Sequence, residues 1–184
     1  MNHHDMTRNM VLAALFAALT AIGAFLQIPT GTVPITLQFL FTALAGLLLG
    51  WKWGAISQLL YVGIGLLGLP VFTQGGGIGY VLQPSFGFLL GLIPAAAVIG
   101  ALTARRTGYL TVLAAVLVGD LILYAVGVPY MYLILHVYMQ SAKTFSALLA
   151  AMLVYVPGDT LKIIVVTALA PVCLLYTSPS PRDS

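Results

Sequence analysis

Pro157-Gly158-Asp159-Thr160-Leu161-Lys162 stands between two strongly apolar runs, one ending at Val156 and the other at Cys173. It sets an acid and a base three residues apart, just after a helix-breaking Pro-Gly pair, in a chain with only 6% charged residues. A charged side chain at hydrocarbon depth costs about 2.5–3.5 kcal/mol on insertion scales, so charges kept there mark a solute path or a binding site. The spacing puts Asp159 and Lys162 on one helix face. Two readings follow. The pair neutralises itself, or it is shared with a small solute, Lys162 meeting an anionic end and Asp159 accepting from N–H groups.

Composition shows what surrounds that stretch. Of 184 residues, 61% are hydrophobic, and the mean hydropathy is +1.08. Soluble domains run at about 45–50% apolar and about 25% charged. The chain is therefore expected to be an all-α integral membrane protein, with the bilayer as solvent for most of its surface. Seven basic and four acidic residues give a formal net charge of +3. No basic run interleaved with aromatics tracks phosphates, so nucleic acid is not expected as a partner. A single cysteine, the adjacent His3 and His4 at the start, and a lone His136 offer neither an internal disulfide nor a metal site.

The apolar segments predict a single membrane domain, residues 1–175, with six transmembrane helices at about 10–27, 35–50, 54–69, 86–102, 109–126 and 157–173, joined by long outer loops. The first is read as an uncleaved span rather than a secretory signal, since equally apolar segments follow it. In it Ala13, Ala17 and Ala21 recur every four residues and form a flat stripe, suited either to packing inside the chain or to docking a partner. Trp51-Lys52-Trp53 reads as an interfacial anchor between spans two and three. Gly46 and Gly50, and Gly87 and Gly91, are close-packing pairs. Residues 127–144, rich in tyrosine and interrupted by Pro129, are expected to form a loop with a helical piece at the interface. The 145–173 region is either one helix broken at Pro157 or a short arm followed by span six. Residues 176–184, Ser/Pro-rich, are set aside as a non-native tail.

Charge placement orients the bundle. With six crossings, Arg8, Lys52, Arg105 and Arg106 fall on one side, and the opposite connections hold only Lys143. The positive-inside rule puts both termini in the cytoplasm of a cell-membrane protein. The uncharged loop with Gly75, Gly76, Gly77 and Tyr80, the Thr36/Gln38 entrance to span two, and the Pro157 break then share the outer side. Glycines there allow close approach to a ligand.

Val33-Pro34-Ile35-Thr36-Leu37-Gln38, Gly75-Gly76-Gly77-Ile78-Gly79-Tyr80 and Pro157-Gly158-Asp159-x-x-Lys162 together resemble the BioY family over about residues 8–172. These are biotin-specific substrate-binding (S) components of energy-coupling-factor (ECF) vitamin transporters. The family's glycine loop continues Gly-Pro-Thr-Gly-Gly, where this chain has Gln83-Pro84-Ser85-Phe86-Gly87. The resemblance implies capture of biotin from outside, with Asp159, Lys162, Gly75, Gly76, Gly77, Tyr80, Thr36 and Gln38 as ligand-binding residues. It implies a transmembrane coupling subunit, docked on the Ala13/Ala17/Ala21 stripe, and two ATPase subunits that use the ATP. No cofactor is expected on this chain. An S component for another small vitamin, a structural assembly subunit, and self-association stand as alternatives. No H-E-x-x-H or G-x-S-x-G pattern suggests an enzyme.

Overall fold

The computed structural model describes residues 3–29, 33–105 and 108–177. Six helices carry the chain: α1 (His3–Phe25), α2 (Gln38–Leu66), α3 (Phe86–Thr103), α4 (Tyr109–Leu133), α5 (Phe145–Met152) and α6 (Val156–Thr177). Two short strands, β1 (Gln27–Ile28) and β2 (Ile35–Thr36), pair antiparallel between α1 and α2, with Gln27 opposite Thr36.

Helix α2 is not one rod. Gly50 adopts φ 75° and ψ 179°, a conformation essentially restricted to glycine. The Gln38 amide donates to the Tyr61 hydroxyl at 2.7 Å, and Thr42 donates to Gln58 at 2.9 Å. A straight helix would hold Gln38 and Tyr61 about 35 Å apart at 1.5 Å per residue. Residues 38–49 and 51–66 are therefore two antiparallel arms of a hairpin. Four helices are long and apolar enough to cross a membrane, and a fifth span arises if α5 and α6, bent by 50°, count together. With α2 folded at Gly50, these make the six transmembrane passes of the bundle.

Close packing explains the glycines. A Cβ on Gly46 would run into the Ala96 carbonyl of α3, and one on Gly100 into the backbone at Gly50 and Trp51. Gly87 and Gly91 face Tyr130 and Leu123 of α4 in the same way. The pair expected at Gly46 and Gly50 thus splits into a packing position and a turn.

Several expected boundaries move. Ile35 and Thr36 belong to β2, so the second pass begins at Gln38. Helix α4 does not stop at Val126. It runs through Pro129 to Leu133 and continues as a π-helical turn, Ile134–Tyr138, so the helical piece expected within a 127–144 loop is instead the continuation of α4. Proline is tolerated inside a transmembrane helix, and the neighbouring Tyr130 holds this end of α4 to α3 and the loop before it, packing on Gly87 and donating to the Val81 carbonyl at 2.6 Å. The break near Pro157 lies upstream, at Leu153-Val154-Tyr155, between α5 and α6. Pro157 occupies the first turn of α6, where its missing N–H is not needed. Tyr176 and Thr177, placed in the tail by sequence, still belong to α6, and residues 178–184 lie outside the described residues, as do Thr30, Gly31 and Arg106.

Of the two readings of the alanine stripe, packing inside the chain is the one seen at Ala13 and Ala17. Ala13 and Ala17 are buried inside the chain, with α1 packed on α2, and Ala21 is half-buried; Ala14 and Ala18 face outward instead. A methyl already enclosed by its own bundle cannot form an external docking face.

Candidate functional site

The first turns of α6 bring Asp159 and Lys162 to one end of the bundle, 6% and 8% exposed. Their side chains meet at 2.5 Å, from Lys162 Nζ to Asp159 Oδ1. The Tyr124 hydroxyl of α4 donates to the other carboxylate oxygen. Lys162 Nζ also donates to the Thr36 carbonyl at 3.3 Å. Each charge is thus paired and hydrogen-bonded, the condition for keeping it in a low-dielectric interior.

From Thr36 the polar contacts continue. Its hydroxyl donates to Gln38 Oε1 at 2.9 Å, Gln38 donates to Tyr61, and Tyr61 donates to the Val71 carbonyl at 3.0 Å. The β1–β2 hairpin, both arms of α2, the glycine-rich connection and α6 therefore meet in one network. Tyr155, in the bend before α6, donates to the Val33 carbonyl and fixes that bend to the hairpin.

These residues wall a cavity at the hairpin end of the bundle. Of the residues expected at the ligand, Thr36, Gln38, Tyr80, Asp159 and Lys162 all line it. Gly75, Gly76 and Gly77 do not. They build the loop behind Tyr80: Gly75 and Gly77 take φ 115° and 97°, and Gly77 N–H donates to the Gly65 carbonyl at 2.7 Å. The loop seats Phe72 and Tyr80, whose rings lie 4.6 Å apart, and Tyr80 shares a 2.8 Å hydrogen bond with Thr73. Sequence reasoning missed Tyr124, Tyr155, Ser85 and Phe88, which also line the cavity. Tyr124 had a signal: it lies one helical turn beyond the intramembrane Asp120 on α4.

The cavity has about 70 Å³ of free space, well below the ~300–1,000 Å³ of ordinary small-ligand pockets. An apolar groove of about 550 Å³, bounded by the end of α1, the hairpin and α6, adjoins it, with Ile35, Thr36 and Lys162 common to both.

A match to the BioY family model extends over residues 1–177. The chain belongs to the BioY family. Among curated BioY relatives, "Probable biotin transporter BioY" of Lysinibacillus sphaericus is 52% identical over 76% of this chain and 72% of its own length. "Biotin transporter BioY" of Thermotoga maritima is 35% identical over 89% of this chain and 94% of its own. The crystal structure of the S-component for biotin from an ECF-type ABC transporter superposes with a TM-score of 0.83, at 28% identity, over 97% of this chain and 96% of that one. The BioY fold therefore holds across the described residues, and the family is one of transporters, not enzymes.

Proposed function

We propose that this chain is the substrate-binding membrane component of a biotin uptake transporter, and that the Asp159–Lys162 pair reads the ureido ring of biotin. The observation that carries this reading is the 2.5 Å contact between the two charges inside a cavity wall. An adjacent acceptor and donor match a cyclic urea, which presents N–H groups and a carbonyl within one small ring. The biotin carboxylate is separated from that ring by the bicycle and its alkyl chain, far longer than the Asp159–Lys162 contact. One ligand cannot hold both ends on this pair. The carboxylate is thus directed toward the mouth, and Tyr80 and Phe88 flank the apolar rings.

The same reading puts both termini in the cytoplasm and has biotin enter from outside; Arg8, Lys52 and Arg105, at the end opposite the cavity, support it through the positive-inside rule. The chain works with a transmembrane coupling subunit and two ATP-hydrolysing subunits, and the exposed Ala14/Ala18 side of α1 is the face offered to the coupling subunit. Biotin is carried as ligand and not as a cofactor.

Competition against radiolabelled biotin on the purified chain tests the orientation. A biotin amide, altered only at the carboxyl end, is expected to compete, and an N-methylated ureido analogue is expected to fail. The reverse order would place the carboxylate on Lys162.

A further inference from the structure

Asp120 is the one acid inside α4, and neither the fold nor the site as described uses it. Its Oδ1 is sealed from solvent and has no hydrogen-bond partner among the described residues. A buried unpaired carboxylate oxygen is costly, and a chain that keeps one in a transmembrane helix needs a reason for it.

Its position follows from the helix geometry. Tyr124 touches Asp159, and α4 and α6 run antiparallel. Four residues back along α4 from Tyr124 is Asp120, and three residues forward along α6 from Asp159 is Lys162. Both steps descend one turn on the same face, and both lead away from the hairpin end. Asp120 is therefore about level with Lys162 on the facing helix.

Lys162 has a donor to spare. An ammonium carries three N–H groups; one goes to Asp159 and one to the Thr36 carbonyl. The cavity, meanwhile, has only about 70 Å³ of free space, so its wall must move for a small molecule to enter.

We propose that Asp120 is the second seat of Lys162. When ligand N–H groups occupy Asp159, the ammonium turns inward to Asp120 and keeps one N–H for the ligand carbonyl. Asp120 is then a positioning residue. It acts through Lys162, stabilises the occupied state, and stays unpaired in the empty one. The exchange moves a charge by one helical turn without exposing it to lipid, and it opens the space between Asp159 and Lys162 that the ligand needs. This inference rests on the ureido reading above.

The test uses the purified full chain and biotin, with Asp120→Asn compared to wild type. Removing an orphaned charge leaves the empty state intact, so the ligand-free Tm is expected to equal or exceed that of wild type. Biotin Kd is expected to rise by about tenfold or more, within the coupling range of interacting buried groups. A purely structural acid gives another pattern, a Tm that falls together with affinity. That pattern overturns the proposal, as does failure of Asp120→Asn to fold, or an unchanged Kd. Wild type that binds no biotin removes the site reading itself, and the proposal falls with it.

Discussion

Tyr124 donates its hydroxyl proton to Asp159, joining α4 to α6 at the level where Lys162 takes the other carboxylate oxygen. Two helices far apart in sequence are thereby locked through a single carboxylate. Tyr124→Phe keeps the ring, which packs edge-on against Phe88 at 5.9 Å, and removes only the donor. A hydrogen bond to a charged group contributes about 1.5–3 kcal/mol. Thermal unfolding in detergent is expected to show a loss of that size, and an unchanged Tm would mean that the bond does not hold the helices.

The α2 hairpin turns on Gly50, so the backbone there should reject a side chain. Gly50→Ala is expected to destabilise by about 1–3 kcal/mol. Gly63, on the same helix with open space around its Cα, supplies the contrast. Gly63→Ala is expected to be neutral or stabilising by about 0.5–1 kcal/mol, because glycine in a helix interior loses more chain entropy. Equal effects at the two positions would argue against a hairpin.

Helix α1 offers a similar pair. Ala13 is enclosed and its neighbour Ala14 faces outward. Ala13→Leu overpacks the bundle and is expected to cost about 1–3 kcal/mol of stability. Ala14→Leu should leave stability unchanged and weaken co-purification with a coexpressed coupling subunit. Retained co-purification in Ala14→Leu would move the docking face elsewhere.

How much of this was legible beforehand depends on the kind of signal. The passes were readable because apolar runs and Pro, Gly and Trp punctuation are local, and the turn at Gly50 falls just before Trp51-Lys52-Trp53, between the second and third passes. The end of α4 was not, because Pro129 and a run of tyrosines look like an interface until the glycine at 87 is known to receive Tyr130. Asp159 and Lys162 stood out as charges in an apolar chain. Tyr124 and Tyr155 did not, since a tyrosine in a membrane helix is ordinary and only tertiary pairing gives these two a role. The alanines of α1 showed a small-residue face without showing which side met α2. For the glycines of the 75–77 loop, sequence identified an irregular turn but placed them at the ligand, whereas they shape the backbone that seats Tyr80.

If Asp159 and Lys162 are held ready for a ligand rather than merely for each other, removing either one must cost biotin affinity. Equilibrium binding of radiolabelled biotin to the purified chain tests this most directly, with wild type beside Asp159→Asn and Lys162→Ala, and with circular dichroism to confirm folding. Saturable binding by wild type is predicted, with a loss of at least about tenfold in each folded variant, the size expected when one member of a buried pair is left alone. Undiminished biotin affinity in both variants would contradict the claim and leave the pair a self-neutralising contact.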